Sequence, residues 1–361
     1  MSNKIDLKNW GFSDRFLAES FMYPNFFAGR VISQSKDLYK VICENSSLIA
    51  EISGKFRFEA RALSDFPAVG DFVMLDRDAD ENGNAIIRQV ISRKSAFIRK
   101  AAGTSNDEQV VASNIDTVFI CMSLNNDFNL RRLERYLSIA WGSGVSPVIV
   151  LTKSDLCEDI RRKLQEAGSV AAGAPVLVTS AIGEDGYLLI MDYLKVGETV
   201  AFIGSSGVGK STLINRLLGE NKLDTQRLRD DDKGRHTTTR RELILLPCGA
   251  MVIDTPGMRE LGTSGVENAD FAKTFADIDE LAVQCRYKDC SHTAEPGCAV
   301  KKAIEEGVLP EKRFVNYLKL QREAVYEGLN SRQTEQAKIT WMFGGKKQMK
   351  QAFKDIKTRN R

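Results

Sequence analysis

From about residue 29 to 98, short runs of β-branched and aromatic residues are separated by Gly, Asp, Asn and Ser, and no helical period is visible. The runs 29–32, 38–43, 48–52, 71–75 and 85–91 predict strands, with DENGN at 80–84 as a turn. Strands this short and close together predict a small closed barrel of the OB type, although an SH3-like barrel has the same pattern. From about residue 110 buried strands alternate with amphipathic helices, the α/β signature. Strands are expected over 117–122, 148–151, 176–178, 199–203, 243–246 and 251–253, and LRRLERYLSIAW reads as a helix. Beyond residue 270 the chain turns helical. Pro310 opens a helix whose Phe314, Tyr317, Leu318, Ala324 and Val325 share an apolar face, a core stripe rather than a ligand box. The expected organisation is multidomain: an unassigned extension over 1–28, an OB-type β-barrel over 29–100, an α/β nucleotide domain over 101–268, and a mostly helical module with a basic tail over 269–361.

Composition changes this picture little. A chain of 361 residues exceeds one ordinary core, and 43% hydrophobic with 27% charged residues is the balance of globular domains. No apolar run reaches bilayer length, and the N-terminus lacks the apolar core of a secretory signal, so a cytoplasmic protein with no membrane partner is expected. Seven cysteines without an export signal argue for reduced or metal-bound thiols. The net charge of +3 is uninformative, but the last sixteen residues carry seven Lys or Arg against the single Asp355. Such a tail suits a polyanion such as RNA, or is merely a solvated terminus.

The chemistry concentrates at Gly204-Ser205-Ser206-Gly207-Val208-Gly209-Lys210-Ser211-Thr212, between the apolar run TVAFI and the helical run TLINRLL. This is a Walker A loop in its strand-loop-helix context. Its glycines let backbone N–H groups close on phosphate oxygens, Lys210 reaches the terminal phosphates, and Ser211 offers a hydroxyl to Mg2+. The base is read elsewhere. Thr152-Lys153-Ser154-Asp155 follows the strand VIVL, where a carboxylate accepts from the guanine ring N–H and exocyclic amine. Adenine offers neither donor in that geometry, so Asp155 should select guanine. Thr152 stands where many GTPases have Asn. After another strand, Ser180 and Ala181 can supply backbone contacts to the guanine carbonyl.

Asp254-Thr255-Pro256-Gly257 follows the strand MVI and fits a metal-side acid and a glycine whose N–H meets the terminal phosphate. Between loop and acid lies Gly234-Arg235-His236-Thr237-Thr238-Thr239, with Thr238 and Thr239 the two candidates for a magnesium-binding switch threonine. Met258, directly after Gly257, cannot orient water, so slow intrinsic turnover is expected. His236 is the available candidate for that task, the alternative being a packing or partner-contact role. The base-reading motifs precede the phosphate loop, the reverse of ordinary GTPases, as if the chain had been joined and cut elsewhere. Finally, Cys285, Cys290, His292 and Cys298 lie within fourteen residues and suit one closed, structural, tetrahedral zinc site. Cys43, Cys121, Cys157 and Cys248 are scattered and read as core or incidental residues.

Taken with PAVGDFV at 67–73, these motifs in this order resemble the bacterial ribosome small-subunit-dependent GTPase A family, RsgA or YjeQ, over nearly the whole chain. The resemblance implies a late maturation factor of the small ribosomal subunit, binding its rRNA through barrel and zinc module. It also implies GTP hydrolysis to GDP and phosphate, stimulated by the subunit and coupled to release. A monomer is expected. From the residues alone the reading is a GTP-hydrolysing switch with a polyanion partner. A non-catalytic RNA-binding scaffold and a small-molecule phosphotransferase remain alternatives.

Overall fold

The computed structural model describes residues 4–79, 83–100, 108–125, 127–180, 186–220, 241–254, 273–293 and 295–326. Chain order begins with α1 (Asp14–Ser20), β1 (Phe27–Ser35), β2 (Leu38–Cys43), β3 (Ser47–Ile52), α2 (Gly54–Glu59), β4 (Phe72–Leu75) and β5 (Ala85–Val90). An antiparallel pair, β6 (Ala96–Lys100) and β7 (Glu108–Ser113), leads into β8 (Thr117–Ser123), α3 (Leu130–Gly142), β9 (Ser146–Thr152), α4 (Ile160–Gly168) and β10 (Val176–Val178). There follow α5 (Leu188–Met191), β11 (Thr199–Ile203), α6 (Lys210–Leu218), β12 (Arg241–Leu245) and β13 (Met251–Asp254). The last described elements are α7 (Ala276–Val283), α8 (Ala299–Glu305) and α9 (Glu311–Tyr326).

The barrel closes in the order β1-β2-β3-β5-β4-β1, with β3 and β5 parallel and the other pairs antiparallel. A helix between the third and fourth strands and this closure make it OB-like, which resolves the alternative the pattern left open. That helix, α2, corrects the expectation of strands and turns only. Six residues are too few to display a period, and its visible signal is Ser53, whose Oγ accepts from Phe56 N at 3.0 Å. The PAVGD stretch packs for identifiable reasons. Gly70 has φ 98°, and a Cβ there would meet Ser113 O at 2.2 Å. Asp71, 0% exposed, accepts two bonds from Arg93, at 2.8 and 2.7 Å.

The parallel strands order as β10-β9-β8-β11-β13, and β12 pairs antiparallel with β13. The β12 strand also pairs with β1 (Ser33↔Glu242, Gln34↔Arg241), so barrel and nucleotide-domain strands form one continuous sheet. The N-terminal segment that sequence left unassigned is part of this assembly: Leu7, Phe12 and Phe16 are buried in the main core, with Phe16 and Phe72 ring centroids 4.4 Å apart. At the joint, the fully buried guanidinium of Arg30 donates to Thr199 Oγ1 (2.7 Å), to Gly70 O (3.3 Å) and to Trp10 O, and lies over the Phe72 ring. Burial lowers its pKa to about 10, which leaves it cationic at neutral pH. The C-terminal helices enclose a separate core of Phe275, Ile278, Val300, Leu309, Phe314 and Leu320. No helix among the described residues is long and apolar enough to cross a membrane.

Candidate functional site

The strand ends explain why motifs distant in sequence converge. The β9, β10, β11 and β13 strands run parallel, so TKSD, Thr179-Ser180, the phosphate loop and Asp254 all leave the same carboxyl edge of the sheet, where open α/β sheets bind ligands. Five buried residues of β11 deliver the chain to Gly204 (φ 142°), where a Cβ would strike Cys121 O at 2.3 Å. Gly207 and Gly209 also take positive φ, 74° and 101°, and Gly209 caps α6, leaving the helix's first N–H groups facing the loop. Ser205 and Ser206 stand at the loop's outer rim, Val208 is buried beneath it, and Ser211 and Thr212 occupy the first turn of α6. The Lys210 ammonium donates to Gly204 O and Ser205 O, both at 2.7 Å, which holds it at the loop's mouth.

The loop that carries TKSD is fastened directly to this loop. Thr152, 2% exposed, donates through Oγ1 to Val208 O at 2.6 Å. Its hydroxyl thus serves the phosphate loop, a role the motif did not reveal. Lys153 adopts the left-handed conformation (φ 57°) and starts the short turn Ser154–Leu156. Ser154 N donates to Thr179 O at 3.2 Å, and Ser180 Oγ donates to Asp155 Oδ1 at 2.6 Å. The loops that follow β9 and β10 are therefore one bonded unit. Asp155 is exposed, so the penalty for an unpaired carboxylate arises only as a base covers it. Asp254 ends β13 beside this edge. Ala181, His236, Thr238, Thr239, Gly257, Met258 and the basic tail lie outside the described residues.

Sequence reasoning missed the neighbours of the phosphate loop on α3. Arg132 donates to the Ser205 hydroxyl and to Asp127 Oδ1, the latter at 2.7 Å, and the Tyr136 hydroxyl lies beside the Ser205 side chain. It also missed Glu134, 2% exposed, which accepts from Arg313 and Asn316 of α9. Arg313 is bidentate to Asp277, at 2.8 Å twice. In an amphipathic repeat these polar side chains look like a solvated face.

The cysteine-histidine cluster is assembled. Its four ligand atoms lie within 4.8 Å of one another. Cys285 Sγ is 3.9 Å from Cys298 Sγ and 3.6 Å from His292 Nδ1, and His292 Nδ1 is 3.4 Å from Cys298 Sγ. A tetrahedral zinc with Zn–S of about 2.3 Å and Zn–N of about 2.0 Å requires edges of about 3.8 and 3.5 Å, so the donors fit. Burial lowers the His292 pKa, favouring the neutral imidazole that ligates. Four protein donors leave no open position, the arrangement of a structural site.

Comparison with known proteins agrees with this geometry. A family model described as RsgA GTPase matches residues 90–264. The chain is 52% identical over 347 residues to "Small ribosomal subunit biogenesis GTPase RsgA 2" of Lactiplantibacillus plantarum, covering 96% of this chain and 97% of that one. It is 44% identical to the RsgA protein of Opitutus terrae, covering 89% and 90%. Among solved structures it is similar to YjeQ from Thermotoga maritima, with TM-score 0.62 and 28% identity over 83% of this chain and 99% of that one. It is also similar to YloQ, described as a circularly permuted GTPase, with TM-score 0.57 and 25% identity over 82% and 94%. The permuted motif order, the OB-like barrel and these likenesses converge: the chain belongs to the RsgA family of GTPases.

Proposed function

We propose that this GTPase acts late in maturation of the small ribosomal subunit, binding rRNA through its barrel and C-terminal module and hydrolysing GTP under stimulation by the subunit. The observation that carries this reading is the bonded unit of base-reading and phosphate loops, tied through Thr152 and Val208, beside an OB-like barrel. Such barrels commonly bind single-stranded or looped nucleic acid. Relatives matched over nearly the whole chain bear the name of small-subunit biogenesis GTPases.

In this reading Asp155 selects guanine, with Thr152, Lys153 and Ser154 shaping its loop and Ser180 and Ala181 meeting the base carbonyl. Gly204 through Thr212 cradle the phosphates and Lys210 neutralises charge that develops on them. Mg2+, which the family implies, would be held by Ser211, the Asp254 side and Thr238 or Thr239, and supplies charge stabilisation on the phosphates when bound. Gly257 meets the terminal phosphate by its N–H, and His236 positions water when a partner is bound. Cys285, Cys290, His292 and Cys298 hold one zinc that shapes the module. The protein works as a cytosolic monomer.

The test is phosphate release with and without purified small subunits, with ATP as competitor. Stimulation by subunits and indifference to ATP are expected. Turnover unchanged by subunits would leave a scaffold and sink the proposal.

A further inference from the structure

The C-terminal module is joined to the nucleotide domain through a helix that also touches the phosphate loop. On one side of α3, Arg132 donates to the Ser205 hydroxyl, and Tyr136, one turn further on, stands beside the same side chain. Ser205 is not a passive rim residue, because its carbonyl is one of the two that hold the Lys210 ammonium, at 2.7 Å. Glu134, two residues beyond Arg132, projects the opposite way, as helical geometry requires. It meets Arg313 and Asn316 there, with the three residues 2%, 9% and 4% exposed. The guanidinium of Arg313 is in turn fixed to Asp277 and to Thr274 O at 2.9 Å. Its neighbour Phe314 packs in the same small core as Cys298 and lies edge-on to the His292 ring. Between its two polar sides α3 is anchored by Leu133 and Leu137, both 0% exposed. A helix so packed transmits displacement instead of absorbing it.

We propose that α3 is a rigid link through which the cysteine-histidine module sets the phosphate loop, with Arg132 as the positioning residue on Ser205, Tyr136 beside it, and Glu134 as the module's grip. The role is distinct from binding: none of these three side chains is assigned to the nucleotide. It requires only the GTPase activity, not the ribosomal reading. Its failure and the failure of that reading are therefore distinguishable.

The experiment measures single-turnover GTP hydrolysis, GDP affinity and thermal unfolding of the full chain in Glu134→Gln, Arg132→Lys, Tyr136→Phe and the Glu134→Gln/Arg132→Lys pair. Glu134→Gln keeps the shape and a bond to Arg313 while removing the charge. It should lower the hydrolysis rate about threefold to thirtyfold with GDP affinity within about twofold, the range of coupling through a packed element. The double variant should be no slower than the slower single, because both changes cut the same link. A lowered melting temperature with an unchanged hydrolysis rate, or effects that multiply in the double variant, would overturn the proposal. Should Glu134→Gln fail to fold, Tyr136→Phe removes one hydroxyl only, and unchanged turnover in it and in Arg132→Lys overturns the proposal equally.

Discussion

Replacing Thr152 with Val tests whether the loop that carries TKSD braces the phosphate loop. The side chain is 2% exposed and its hydroxyl donates to Val208 O at 2.6 Å, with Val208 itself 1% exposed. Valine preserves the shape and deletes the bond, leaving a buried carbonyl without that donor. A neutral hydrogen bond contributes about 1 kcal/mol, and a buried acceptor left orphaned raises the cost to about 1–3 kcal/mol. Taking about 2 kcal/mol, a domain of this size should lose roughly 4–8 °C in melting temperature. A loop no longer braced must also be ordered when nucleotide binds. If half the cost appears there, GDP should bind about fivefold more weakly. Thr152→Ser is the control, since it keeps the hydroxyl and loses one methyl. Titration of fluorescent GDP, paired with thermal unfolding, reads both quantities. Parent-like affinity in Thr152→Val alongside weakened binding in Thr152→Ser would refute the brace and leave Thr152 as a packing residue.

Three further outcomes are expected. Asp155→Asn removes the acceptor pair for the guanine N–H groups and adds an amide donor, so GTP affinity should fall by about 100-fold or more while xanthosine triphosphate, which carries a carbonyl in place of the amine, gains; competition binding checks it. Metal analysis should find one zinc per chain, and Cys290→Ala or prolonged chelation should remove it and abolish cooperative melting of the C-terminal helices, with GDP binding retained. Burial pushes the thiols of Cys43 and Cys121 up to about 12, so at pH 8 they are almost wholly protonated as well as enclosed. Timed alkylation followed by mass spectrometry should label both only on unfolding, and rapid labelling of either in the native protein would contradict the packing.

The phosphate loop was legible because its glycines encode backbone angles that few other residues adopt, and strand-loop-helix context confirms it. The barrel strands were legible because β-branched runs broken by turn residues are a local signal. Three features were not, and each involves residues far apart in the chain. The β1 to β12 pairing joins Gln34 to Arg241, a contact no local pattern carries. The segment before residue 28 looked unassignable because Phe12 and Phe16 acquire meaning only against Phe72. Thr152 announced a base-reading motif, but sequence does not tell which way a hydroxyl points, and here it points to Val208. Glu134 was hidden for a similar reason: a carboxylate within LRRLERYL reads as solvent-facing until Arg313 is placed beside it.

The strand shared between barrel and nucleotide domain has a practical consequence for anyone dividing the chain. Cutting away the first hundred residues would strip β1 from β12 and bare the backbone at Arg241 and Glu242, its peptide groups seeking a new partner. A second molecule offers the same border, so the shortened protein should stick to itself. The barrel is thus a hem that keeps the sheet from unravelling into aggregates.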